Sequence, residues 1–135
     1  MKKTESHSKR ILFVCIENSC RSQMAEAFAR IYGAGSLEAY SAGSKPAGII
    51  NQKAIDVMHE IGYDLKRHNS KSLAEISDIE YDIVVTMGCG DECPLVRAKR
   101  HEDWNIPDPK GMPLVEFRAV RDLIENKVKG LLSRL

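Results

Sequence analysis

The sequence predicts a single α/β domain built on a parallel sheet, and three observations carry that prediction. The chain has 135 residues, 43% hydrophobic and 29% charged, the size and balance of one globular domain. Two short, solid apolar runs, residues 10–15 (RILFVC) and 81–87 (YDIVVTM), read as strands covered on both faces. Stretches with apolar residues at helical spacing alternate with the strand-like runs. Strand–helix alternation implies parallel strands joined by helices packed on both faces of the sheet.

The elements follow in order. The first strand, residues 10–15, leads into a helix from Ser22 onward, with Met24, Ala25, Phe28, Ala29 and Tyr32 at helical spacing and Gly33 as its stop. Residues 37–43 (LEAYSAG) read as a second strand. Asn51 caps a helix whose apolar face is Ala54, Val57, Met58 and Ile61, closed by Gly62. A short helix is expected near residues 72–77, then the strand at 81–87 and a short strand at 101–106 ended by Pro107, with Trp104 in the core. The last helix places Phe117, Val120, Leu123, Ile124, Val128, Leu131 and Leu135 on one side. Residues 1–9 read as a flexible N-terminal tail and 10–135 as the domain.

Composition excludes several function classes. Twenty Lys+Arg against nineteen Asp+Glu give a net charge of +1, so there is no global electrostatic case for nucleic acid or an anionic membrane as partner. The longest apolar run is six residues, Ile11 to Ile16, too short to span a bilayer. The polar, basic amino terminus has no apolar signal core behind it, so the expected location is cytoplasmic. Four cysteines (Cys15, Cys20, Cys89, Cys93) then point to thiol chemistry instead of a disulfide framework. Their C-x4-C and C-x3-C spacings match no common zinc pattern, so no metal or cofactor is expected. His7, His59, His68 and His101 have no partner at telling spacing and read as surface or packing residues.

In a parallel sheet, ligands bind beyond the carboxyl ends of the strands. Cys15, Gly43, Gly88 and Cys89, and Asp108 all fall at such ends. Between the first strand and the first helix stands Cys15-Ile16-Glu17-Asn18-Ser19-Cys20-Arg21-Ser22, a cysteine and an arginine separated by five residues. A loop of that length aims backbone N–H groups at one point and adds the positive end of the helix dipole. Arg21 supplies a forked donor for a tetrahedral oxyanion, and the same field favours a thiolate at Cys15. Asn18 braces the loop, and Ser22 can donate to the Cys15 sulfur. Asp108 sits between Pro107 and Pro109 on a stiff segment suited to protonating a leaving oxygen.

VCIENSCRSQMAEAF resembles the signature of the low-molecular-weight tyrosine phosphatase family, in particular its arsenate reductase branch. The resemblance continues through SAGSKPAG, HNSKSL, DIVVTMGCGDECP and DWNIPDPKG, covering nearly all of 10–135. It implies a four-stranded parallel sheet with flanking helices, Cys15 as nucleophile, Arg21 as oxyanion clamp and Asp108 as general acid. It further implies that Cys89 attacks Cys15 and that Cys93 attacks Cys89, giving a disulfide that thioredoxin reduces. The compact spacing of Cys89 and Cys93 departs from the best-known thioredoxin-coupled pattern and leaves open a low-molecular-weight thiol with a glutaredoxin-like partner, as well as which of the two cysteines attacks Cys15 first. Cys20 matches a position outside the relay and is expected to be structural. Part of the family binds potassium through equivalents of Asn18, Glu26, Ser41 and an acidic residue. This chain has Lys71 at the acidic position, so no potassium requirement is expected. Phosphate and sulfate are expected as competing oxyanions, and a monomer is expected. A phosphotyrosine phosphatase is the rival reading, countered by Pro109-Lys110-Gly111 where aromatic residues would hold a tyrosine ring. A non-catalytic oxyanion sensor is the other.

Overall fold

The computed structural model describes residues 8–76, 78–88 and 96–135. Seven elements organise them: β1 (Lys9–Cys15), α1 (Arg21–Tyr32), β2 (Leu37–Gly43), α2 (Gln52–His59), β3 (Tyr81–Thr86), β4 (Ala98–Asp103) and α3 (Leu114–Ser133). Two 3₁₀ turns, Leu65–Arg67 and Leu73–Glu75, lie between α2 and β3. The strands form a parallel sheet of order β2-β1-β3-β4. Register sets Cys15 beside Gly43, Val14 beside Thr86, and Thr86 beside Asp103, so the four carboxyl ends make one rim.

β1 is central, and its residues from Ile11 to Cys15 are buried on both faces, as its unbroken apolar run requires. Ile11 and Phe13 join Met24, Phe28, Val57, Ile83, Val85 and Phe117 in the core under the helices. Leu12 and Val14 face the other way, with Ala42, Tyr81 and Val84, and are covered by Leu73, Ile76, Ile79 and Val96. The layers are unequal among the described residues. The three α-helices share one face, and a 3₁₀ turn and its flanking loop cover the other.

Several expectations shift, among them helices on both faces, a helix at 72–77 that is a 3₁₀ turn at Leu73–Glu75, and Tyr32, which is exposed. β1 begins at Lys9, one residue before the predicted start. β4 covers Ala98–Asp103, not 101–106, because it is an exposed edge strand with no apolar run to mark it. Trp104 and Ile106 are buried just beyond it. α2 keeps the predicted cap, with Asn51 Oδ1 accepting from the Lys53 and Ala54 N–H groups, but Ile61 is exposed. The helix stops at His59, and Gly62, with φ +86°, turns the chain before Ile61 could join the buried face. Leu123 on α3 is partly exposed and Leu135 lies exposed beyond the helix end, while Phe117, Val120, Ile124, Val128 and Leu131 form the buried stripe.

Gly33 does follow α1, for a reason other than conformational freedom. Its φ is −110°, but a Cβ there would lie 2.4 Å from Leu37 Cδ2 and 2.8 Å from the Ala29 carbonyl oxygen. Among core positions Phe117 anchors α3 and is fully buried. Phe117→Ala is expected to cost about 3–5 kcal/mol in urea unfolding, a large share of the ~5–15 kcal/mol typical of a domain.

Candidate active site

Residues 16–20 form the turn from β1 into α1, and its shape is set by neighbours outside it. The carbonyl groups of Cys15, Ile16, Glu17 and Ser19 accept hydrogen bonds from the backbone N–H groups of Ser44, Lys45, Ala47 and Asn51. In a trans peptide the following N–H points opposite to the carbonyl, so the loop's own N–H groups turn inward. Asn18 makes the sharpest bend, at φ 51°. β2 must come very close for this bracing. A Cβ on Gly43 would meet the Ile16 carbonyl oxygen at 2.5 Å and the Asn18 nitrogen at 2.9 Å.

Cys15 is 3% exposed at the floor of the resulting pocket. Its Sγ lies 2.8 Å from Ser22 Oγ and accepts the Asn18 N–H at 3.2 Å. Asn18 Nδ2 in turn donates to Ser22 Oγ at 2.8 Å. The bracing by Asn18 and the contact from Ser22 to the sulfur, both expected from sequence, are brought together here.

Arg21 opens α1 and is 7% exposed. Its Nη1 donates to the carbonyl oxygens of Met87, just after β3, and of Ile106, at 3.1 Å, just after β4. Two strand ends therefore fix one edge of the guanidinium. Nη2 lies 3.9 Å from Asp108 Oδ2. Asp108 accepts the Lys110 N–H at 3.1 Å, which holds the carboxylate at the rim. Lys110 Nζ donates to both oxygens of Glu17 at 2.8 and 3.0 Å and ties the Asp108 segment to the loop after β1. The pocket, open to solvent on one side, has a volume of about 60 Å³ and is lined by Cys15, Ser19, Arg21, Asp108 and Lys110, among others. That is the room of about two water molecules, fit for one small tetrahedral anion.

Cys20 also lines this pocket, but burial pushes its thiol up to about 11. It is a thiol at neutral pH and a poor nucleophile, consistent with a structural place in the loop. Cys89 and Cys93 lie outside the described residues.

Behind the loop stands a second layer, which includes the Glu26, Ser41 and Lys71 positions that match the potassium site of part of the family. Glu26 is 3% exposed and accepts from Ser41 Oγ and from Arg30 Nε at 2.9 Å. Lys71 Nζ lies 3.8 Å from Glu26, and the Lys71 N–H donates to Asn18 Oδ1 at 2.8 Å. His68 was expected to be a surface or packing residue. Its side chain is 6% exposed, and Nδ1 lies 2.9 Å from Gln23 Oε1. Gln23, fully buried, was not singled out at all. No spacing signal marked either one, because their partners are 45 residues apart in the chain. Among the described residues no group of three or more His, Cys, Asp and Glu side chains is placed to hold a metal ion, and no helix is long and apolar enough to cross a membrane.

The low molecular weight phosphotyrosine protein phosphatase family profile matches residues 10–135. The chain belongs to this family. Within or beside the family's pattern, it is 37% identical over 130 residues to the glutaredoxin arsenate reductase of Synechocystis sp., covering 94% of this chain and 98% of that protein. A solved arsenate reductase in its phosphate-binding state superposes with a TM-score of 0.84 at 36% identity, covering 93% of this chain and 98% of that one. The thioredoxin-dependent arsenate reductase of Corynebacterium glutamicum superposes with a TM-score of 0.77 at 30% identity, covering 96% of this chain and 62% of that one. The low molecular weight phosphatase fold thus accounts for the sheet order, the loop after β1 and the acid-bearing segment after β4 as one unit.

Proposed function

We propose that this chain is an arsenate reductase in which Cys15, Arg21, Asp108, Cys89 and Cys93 do the chemistry. The carrying observation is the Cys15 sulfur at the floor of a 60 Å³ pocket, faced by Arg21 and Asp108 and rimmed by Lys110 in place of an aromatic ring. Arsenate reductases match the chain over most of its length, which supports reduction over ester hydrolysis.

The reaction runs in three exchanges. The Cys15 thiolate bonds to arsenic, and the departing hydroxide takes a proton from Asp108 and leaves as water. The Cys89 thiolate attacks Cys15 Sγ, forming an S–S bond. The S–As bond breaks with its electron pair on arsenic, so As(V) leaves as arsenite. Cys93 attacks Cys89, Cys15 departs as a thiolate, and a dithiol reductant reduces the Cys89–Cys93 disulfide. The inward N–H groups of residues 15–22 and the Arg21 guanidinium hold the oxyanion throughout, with phosphate and sulfate as competitors. Thioredoxin is the proposed reductant. The Synechocystis relative's name favours a second reading, a glutaredoxin-like partner. Arg30, Lys71 and His68 already surround Glu26, which supports turnover without potassium.

The test is arsenate-dependent NADPH oxidation with the thioredoxin system, run beside glutathione plus glutaredoxin. Thioredoxin-supported turnover, equal in sodium and potassium buffers, is expected. Turnover with glutaredoxin alone would replace the reductant. Faster turnover of phenyl phosphate than of arsenate would return the site to a phosphatase.

A further inference from the structure

A carboxylate stands at the mouth of a pocket shaped for an anion. Glu17 lines that pocket together with Cys15, Arg21, Asp108 and Lys110. Left alone, its charge would repel an incoming oxyanion. Lys110 Nζ covers it, donating to Oε1 at 3.0 Å and to Oε2 at 2.8 Å. The hydrogen bonds to Glu17 raise the proton affinity of Lys110, so the ammonium stays charged at neutral pH.

Both backbones that carry the pair are anchored without it. Residues 109–112 form a β-turn closed by the Met112 N–H on the Pro109 carbonyl oxygen at 2.8 Å, with Lys110 at its second position and Gly111, φ +88°, at its third. The Lys110 N–H donates to Asp108 Oδ1, and Lys53 Nζ donates to the Met112 carbonyl oxygen at 2.6 Å. Across the pocket the Glu17 carbonyl oxygen accepts from the Ala47 N–H at 2.9 Å and from Ser70 Oγ at 3.1 Å. The ion pair itself joins side chains 56% and 38% exposed, and a pair so open to water holds weakly. Arg21 is the opposite case, buried and with Nη1 committed to the Met87 and Ile106 carbonyl oxygens. A lysine ammonium is a compact charge with three donors on a flexible stem, so it can change partners while its backbone stays in place.

We propose that Lys110 is a second cationic ligand for the oxyanion, held on the Glu17 carboxylate until an anion binds and then transferred to it. A doubly charged oxyanion outbids a singly charged carboxylate for the same ammonium, and the pocket walls leave less water to screen the attraction. Glu17, already partly exposed, is left to solvent. Two groups thus compete for one ammonium: Lys110 adds to oxyanion affinity, and Glu17 subtracts from it. This role of Lys110 rests on the pocket as an oxyanion site, not on arsenate reduction.

The signs of two substitutions separate this exchange from a static strap. Binding of inorganic phosphate to the full, reduced chain is measured by isothermal titration calorimetry at low ionic strength. Lys110→Met keeps the apolar stem and is expected to weaken phosphate binding about tenfold, the loss of one hydrogen bond to a charged group. Glu17→Gln keeps the shape, releases the ammonium and is expected to tighten binding about threefold. A strap that only closes the pocket predicts the same direction for both, since each variant breaks the same pair. Weaker binding in both variants, or a change below about 1.5-fold in either, overturns the proposal. Should Lys110→Met fail to melt cooperatively, Glu17→Gln decides alone: tighter binding upholds the exchange, and equal or weaker binding overturns it. A starting chain that binds no phosphate would overturn the oxyanion pocket and the role of Lys110 with it. If the two variants shift in opposite directions while arsenate is not reduced, the proposed activity fails and Lys110 stands as an oxyanion ligand.

Discussion

With Cys93 replaced by serine and no external thiol present, each molecule is expected to release one arsenite and then stop. Arsenate reduction consumes two electrons, which in the proposed relay come from Cys15 and Cys89 as they form a disulfide. In that relay Cys93 enters only afterwards, to move the disulfide away from Cys15. Cys93→Ser therefore accumulates Cys15–Cys89, seen as a single disulfide in non-reducing peptide mapping. Cys89→Ser stops one step earlier, with arsenic bound to Cys15 and no arsenite in solution. Cys15→Ser gives neither product, since an alcohol cannot supply the electrons, yet it keeps the fold because serine fits where the sulfur stands. Several arsenites per molecule from Cys93→Ser would remove Cys93 from the relay. Arsenite from Cys15→Ser would remove the nucleophile.

Arg21→Lys is the second large effect. The guanidinium is buried and spans two carbonyl oxygens on one side, those of Met87 and Ile106, while Nη2 stays within 3.9 Å of Asp108 at the pocket. A lysine ammonium is a point charge on a flexible stem and cannot serve the strand-end carbonyls and an oxyanion together. Turnover measured as kcat/KM is expected to fall about 10²–10³-fold, the range for loss of a preorganised oxyanion donor. Phosphate inhibition weakens in parallel, because the same donor holds the competitor. A change of less than about threefold would mean that the loop N–H groups carry the oxyanion without Arg21.

Some elements were legible because one short stretch carries its own reason. β1 is solidly apolar since it is covered on both faces, and α2 announces its start through the Asn51 cap. The Cys15–Ser22 loop is legible for the same reason: strand, turn and helix start are contiguous. β4 was misplaced because an edge strand with its side chains mostly exposed has no apolar pattern to read. Ile61, Leu123 and Leu135 carried the helical spacing but lie outside the buried stripes: Ile61 and Leu135 fall beyond the ends of α2 and α3, and Leu123 stands on a part of α3 that its neighbours do not cover.

The sequence by itself determined the parallel sheet, the loop between β1 and α1 and which thiol, guanidinium and carboxyl groups stand at the sheet's rim. Each of these follows from local covalent order and from side-chain periodicity. Only the tertiary structure decided how those groups are held. Arg21 is aimed by carbonyls 66 and 85 residues away, and Asn18 is oriented by the Lys71 backbone 53 residues on. His68 and Gln23 meet across 45 residues. Such contacts leave no periodic trace, because hydrogen-bond direction depends on where folded strands bring donors and acceptors within about 3 Å of one another.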